Sequence, residues 1–337
     1  MQLSDCITIW FKSVFYGSDR AFIGPLLPMK EVAMFLSTLK KYTFYTSLMI
    51  MALVVSTSIF ARDLADIKKE EVLRHLGVPY ANFISYIHSD GFESVTGLDV
   101  EIVQGFAKSI GVEYEYIPAT WNDVIGKLTG IDTQFKDNKL VFGKAVPIQG
   151  DIIANGMTIL PWRAEVIDFS NDYFPSAVWL ISRVDSDLKP IKPSGSLDND
   201  IKTVKKLMDG RDVLAMEDSC LDPNLYNLYQ TKANIILPTR ERNLNEMVPA
   251  ILNKDANNTL LDVADTLIAL EKWPGQIKVI GPVSEDQQMA AGFRKDSVEL
   301  REAYNLYLKK IRADGSYQRL VEKYYPSVFD FYNAYFE

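Results

Sequence analysis

From Val72 onward, short apolar runs alternate with stretches whose apolar residues recur every three or four positions, which predicts strands alternating with amphipathic helices in an α/β chain. Leu98 to Ile110 (LDVEIVQGFAKSI) puts Val100, Ile102, Val103, Phe106 and Ile110 at helical spacing, with Gly111 placed as a C-terminal cap. The strictly alternating Val112 to Ile117 predicts a strand, and Trp121 to Leu128 a short helix. Ile131 to Ile148 lacks a helical period, contains Gly143 and Pro147, and reads as a hairpin or irregular excursion. Asp151 to Ala154 and Val178 to Ser182 read as buried strands, and the Pro-, Ser-, Gly- and Asp-rich stretch 183–198 marks a boundary. A second set follows: helix 201–208, strand 212–216, helix 223–229, strand 234–237, helix 244–252, strand 259–261 and helix 264–271. A strand at 288–293, a helix at 298–312, a turn at 313–317 and a helix through Tyr324 complete the pattern.

The N-terminal pattern differs. Lys40 and Lys41 precede an uncharged run from Tyr42 to Phe60, and Ala61 is followed at once by Arg62-Asp63. Positive residues, an apolar run and a small residue at the cut form a secretory signal over residues 34–61, with Met34 its natural start and Arg62 the first mature residue. Residues 1–33 then form an extension ahead of it, as a start codon assigned too far upstream would produce. About twenty apolar residues can also span a bilayer, so a retained anchor is the other reading. No Cys follows the run, which argues against a lipoprotein. Export to the periplasm is the expectation.

Composition narrows the chemistry. The 337 residues are 47% hydrophobic and 24% charged, enough for one or two packed cores. Net charge is −8 with a pI near 5.0, and no dense Lys/Arg block occurs, so a nucleic-acid surface is not expected. Cys6 and Cys220 offer neither a disulfide framework nor a CxxC site, and His75 and His88 have no further ligands grouped with them. No cofactor or metal is implied.

Three motifs occur in one order: Gly97-Leu98-Asp99-Val100-Glu101; Gly156-Met157-Thr158-Ile159-Leu160-Pro161-Trp162-Arg163 leading to Asp168-Phe169-Ser170; and Ile311-Arg312-Ala313-Asp314-Gly315-Ser316-Tyr317. Together they resemble the family 3 extracellular solute-binding proteins, the amino-acid receptors of ABC importers, over roughly residues 70–328. The resemblance implies a two-lobed type II periplasmic-binding fold hinged on two crossing strands, near Ser182-Arg183 and Pro282-Val283. Lobe 1 would comprise residues 62–180 and 285–337, and lobe 2 residues 181–284. It also implies a monomer that binds a small carboxylate-bearing solute, an amino acid or related compound, and delivers it to an ABC permease in the inner membrane.

A zwitterion entering a cleft exchanges water for charge-assisted donors, and a planar guanidinium suits a carboxylate best. By resemblance Arg163 fills that role, assisted by Thr158 and by the main chain of Asn155 and Gly156. From spacing alone, Arg163 can equally be a solvated helix residue and Thr158 an N-cap. By the same resemblance Asp262 meets the ligand's ammonium group, while its position also suits capping the helix that follows. Tyr80, in Tyr-Ala-Asn-Phe, would cover the ligand and Trp121 wall the pocket, and Phe83 reads as core. Ser219 would be a second-lobe contact. The loop Met216-Glu217-Asp218-Ser219-Cys220-Leu221 departs from the family pattern: Asp218 replaces a glycine and Cys220 a hydroxyl residue at an expected helix N-terminus. The excursion at 131–148 is longer than usual. A dehydratase-like enzyme on the same scaffold, using Glu217, Asp218 or Asp262 as acid, and a sensory or accessory metabolite-binding protein remain as alternatives.

Overall fold

Two five-stranded sheets organise the chain in the computed structural model, which describes residues 62–89, 92–136, 138–238 and 244–336. The extension at 1–33, the signal segment at 34–61 and Cys6 lie outside the described residues. Among the described residues no helix is long and apolar enough to cross a membrane.

The first sheet orders its strands Glu113–Pro118, Val72–Gly77, Ile152–Ile153, Gly292–Phe293 and Asp168–Phe169. The first three run parallel, and Gly292–Phe293 is antiparallel to both of its neighbours. A strand from late in the chain therefore lies between two early ones. The second sheet orders Asn234–Ile236, Asp212–Leu214, Asn258–Asp262, Val178–Arg183 and Ile277–Pro282. Its first three strands are parallel, and Val178–Arg183 is antiparallel to the strands on either side. Each sheet with its covering helices forms one lobe.

Helix Leu98–Ile110 illustrates how the pattern becomes packing. Leu98, Val100, Ile102, Val103, Phe106 and Ala107 are all buried, each of the larger ones contributing about 1.5–3 kcal/mol by leaving water. Gly111 ends the helix at φ 80°, a left-handed cap that glycine adopts without a Cβ penalty. The ends of the first lobe are tied by Asp63, which caps its own helix Leu64–Glu70 through the Leu64 N–H at 2.8 Å. The same carboxylate accepts from Leu300 N–H at 2.8 Å at the start of helix Val298–Ala313.

Three elements differ from the pattern reading. Pro223 to Tyr229 is a series of turns ending in a short 3-10 turn, Leu228–Gln230. Asp222 accepts the Asn224 N–H at 2.8 Å and Asn227 is left-handed at φ 54°, both incompatible with a continuing helix. Residues 288–293 form two strands, Gln287–Met289 and Gly292–Phe293, which belong to different sheets. The first crossing lies earlier than Ser182-Arg183, because those residues pair inside the second sheet with Asn258, Lys278 and Ile277. The chain instead leaves strand Phe174–Ser176, paired with Gln287–Met289, and enters the second sheet at Val178.

Candidate ligand-binding site

Strand Ile152–Ile153 runs into a buried turn at 154–158. Gly156 sits at φ +65°, and a Cβ there would come within 2.3 Å of the Phe83 ring. Both facts require glycine. Gly156→Ala should therefore destabilise the protein by roughly 2 kcal/mol or more, read as a lower urea midpoint. An unchanged midpoint would contradict the packing described.

The Gly156 N–H donates to Asp99 Oδ2 at 2.6 Å, and the Tyr173 hydroxyl donates to the same oxygen at 2.6 Å. Burial raises the Asp99 carboxyl to about 7, with these two donors acting in the opposite direction. Asp99 thus holds the turn, and the Gly156 N–H is already engaged. In the sequence, Asp99 stands out only within the motif Gly97-Leu98-Asp99-Val100-Glu101. An acid one position into a helix, flanked by core residues Leu98 and Val100, was the signal for a buried role.

Arg163 lies on the four-residue helix Pro161–Ala164, yet it is only 1% exposed. It is therefore no solvated helix residue, and Leu160 rather than Thr158 takes the cap position. Its Nη1 donates to Thr158 O at 3.0 Å, and its guanidinium lies 5.5 Å from the Trp121 ring and 5.2 Å from the Trp162 ring. Burial lowers its pKa to about 10, which leaves it charged at neutral pH. Two indoles thus hold a cation in place with little freedom to reorient.

From the second lobe comes Asp262, the last residue of strand Asn258–Asp262 and the N-cap of helix Val263–Lys272. Its Oδ1 accepts the Asp265 N–H at 3.0 Å. Its Oδ2 accepts from the Tyr80 hydroxyl of the first lobe and from the Cys220 thiol at 3.6 Å. Capping and facing the other lobe are therefore simultaneous roles of one carboxylate. Burial raises Asp262 to about 7. Asp265 is pushed well above the usual carboxylate range by burial and by the Asp262 charge, so Asp262 is the member of the pair that ionises first. Tyr80 is 1% exposed and meets Trp121 edge-on at 5.9 Å.

In the 216–222 loop, Ser219 turns inward. Its hydroxyl donates to Met216 O at 2.8 Å and accepts the Leu221 N–H at 3.0 Å, so it shapes the loop. With 223–229 not helical, no helix N-terminus points at the cleft here. Burial raises the Cys220 thiol to about 11 against the pull of Arg163, so it stays protonated at neutral pH. His75 is buried between Tyr114 and the Ala154 carbonyl, and burial lowers it to about 4; its contacts are those of a core residue.

Around Arg163, five polar side-chain atoms are buried without a hydrogen-bond partner: Asn155 Nδ2 and Oδ1, Thr158 Oγ1, Arg163 Nε and Trp121 Nε1. Each such atom costs about 1–3 kcal/mol when left unpaired in a protein interior. Folding alone gives no reason to gather them.

The family model of bacterial extracellular solute-binding proteins, family 3, matches residues 146–327, more than half of the chain. The chain belongs to that family. Among curated relatives, a membrane-bound lytic murein transglycosylase F of Desulfosudis oleivorans is 24% identical over 237 residues, which are 70% of this chain but 45% of that relative. The chain thus spans less than half the length of that protein. The arginine-binding extracellular protein ArtP of Bacillus subtilis is 23% identical over 253 residues, covering 73% of this chain and 83% of the relative. Among solved structures, a mutant of ArgBP from T. maritima superposes with a TM-score of 0.61 at 21% identity, covering 78% of this chain and 99% of the other. The family member described here accordingly has the two-lobed type II periplasmic-binding fold.

Proposed function

We propose that this protein is the exported binding component of an amino-acid ABC importer, a monomer working in the periplasm after removal of the signal segment at 34–61. Its two lobes, divided where the chain enters the second sheet at Val178 and leaves it after Pro282, close on an amino acid or a related compound. The observation that carries this reading is the set of unpartnered buried atoms on Asn155, Thr158, Arg163 and Trp121; Cys220, which feels the Arg163 charge and donates to Asp262, links that set to the second lobe. Arg163, Thr158 and Asn155 take the ligand's carboxylate, and Asp262 takes its ammonium group, displacing the Tyr80 hydroxyl, which then covers the ligand with its ring. Gly156 supplies the backbone conformation of the turn, and Ser219 shapes the loop behind Cys220. The arginine-binding name of the Bacillus subtilis relative supports an amino-acid ligand class.

A thermal-shift screen over amino acids, polyamines and organic acids tests the proposal. A carboxylate-bearing ligand at a hundred times its Kd should stabilise the protein by about 2.7 kcal/mol, visible as a concentration-dependent rise in Tm. Trp121 and Trp162 flank the anchor, so the same ligand should change the intrinsic fluorescence. A screen in which polyamines alone raise Tm would overturn the carboxylate-first reading, because Arg163 repels such ligands.

A further inference from the structure

We propose that Asp218 is a positioning residue that latches the hairpin Ile131–Lys136/Lys139–Ala145 of the first lobe onto the second lobe, and so sets how long the closed form lasts. The proposal rests on the binding reading only where a ligand is involved.

Two oddities of this chain meet at one contact. Asp218 sits at φ +59°, a left-handed conformation that costs most side chains free energy and that aspartate tolerates only better than average. In the same chain, the hairpin between the Val124–Thr129 helix and strand Ile152–Ile153 is seven residues long on its second arm. The Asp218 carboxylate accepts the Phe135 backbone N–H of that hairpin at 3.4 Å. Lys136 and Arg163 face it with positive charge, and Asp132 opposes them. Its own backbone N–H is held by Asp222 at 3.3 Å, which fixes the carboxylate's origin. A glycine would relieve the backbone but could not make the bond.

The hairpin matters to the site through its other face. The Phe135 ring lies parallel to Trp162, 5.4 Å between centroids and 9° between planes, and Trp162 in turn stacks on the Arg163 guanidinium. Leu225 of the second lobe packs with Phe135 and Leu140 around the same apolar cluster. Among the described residues, other ties between the lobes include Tyr80 to Asp262, the Ala81 N–H to Asn245 Oδ1 at 2.7 Å, Gln287 Nε2 to the Tyr226 hydroxyl at 3.3 Å and the Ser327 hydroxyl to Glu271 Oε1 at 2.7 Å. A ligand that takes the Asp262 carboxylate removes the first of these. The Asp218–Phe135 contact lies away from that exchange, so it can hold the mouth shut with or without ligand.

Asp218→Gly and Asp218→Asn separate the latch from a local folding role, since both residues tolerate the left-handed conformation and only asparagine keeps an acceptor. In the ligand-free mature protein beginning at Arg62, small-angle scattering should give a larger radius of gyration for Asp218→Gly than for wild type, with Asp218→Asn close to wild type. Scattering is insensitive to loosening of a single loop. In the same protein, whose cysteine is Cys220, N-ethylmaleimide should alkylate it roughly tenfold faster in Asp218→Gly, the scale of losing one hydrogen bond to a charged group. An unchanged radius in Asp218→Gly, or one equally enlarged in Asp218→Asn, overturns the latch whatever the ligand proves to be. Once a ligand is known, Asp218→Gly should raise koff more than it changes kon. Failure to find any ligand would count against the binding reading and leave the scattering result standing on its own.

Discussion

Arg163→Ala is expected to weaken ligand binding by roughly 2–5 kcal/mol, the range for truncating one partner of a buried charged pair. The size follows from the surroundings. At 1% exposure no water can take over the guanidinium's role, and the donors that would remain, on Asn155 and Thr158, are uncharged. Lysine should rescue little, because it cannot be planar between Trp121 and Trp162 while reaching Thr158 O. Isothermal calorimetry on Arg163→Ala and Arg163→Lys checks this, and wild-type affinity in Arg163→Ala would remove the residue from the site.

Affinity for a ligand with an ammonium group should fall about tenfold for each pH unit below 7, and be flat above it until the ligand's own amine titrates. The sign comes from Asp262, whose free carboxyl is raised to about 7 by burial. Only the ionised form pairs with ammonium, so binding lowers its pKa and releases a proton wherever the free protein holds one. Below 7 that release works against binding. Two groups facing this carboxylate, Tyr80 and the Cys220 thiol, are neutral donors there, and burial together with the Asp262 charge raises Asp265 above the usual carboxylate range. Asp262→Asn should bind weakly and lose the slope. Calorimetry in buffers of differing ionisation enthalpy measures the proton directly, and a pH-independent affinity from 5 to 8 would exclude Asp262 as the ammonium partner.

Local signals carried further than long-range ones in reading this chain. Helix Leu98–Ile110 was legible because its apolar spacing and Gly111 agree, and Asp262 because a strand end followed by a helix start is written in adjacent residues. Pro223 to Tyr229 misled because its spacing of leucine and tyrosine resembles one helical face, while the turn is set by side-chain bonds from Asp222. Strand Ile277–Pro282 (IKVIGP) ends in Gly281-Pro282 and does not alternate, so its pairing with Val178–Arg183 defines it. The last helix, Val328–Phe336, consists largely of aromatic residues, and it is their packing, Phe336 on Phe174 and Tyr317, that organises it. Asp99 and Tyr173 are 74 residues apart in sequence, and no spacing rule joins them at one oxygen.

The two strands that pass between the lobes are bonded to each other on both sides of the crossing. Gln287 pairs with Ser176 on one side and Pro282 with Trp179 on the other. Within the joint, the Val283 N–H donates to Val178 O at 2.7 Å and the Val178 N–H to Ser284 Oγ at 2.7 Å. Neither strand can twist without carrying the other, so the pair behaves as one torsion spring. Relaxation after a ligand jump should then follow a single exponential, with the same time constant whether it is recorded by tryptophan emission, by X-ray scattering or by thiol protection.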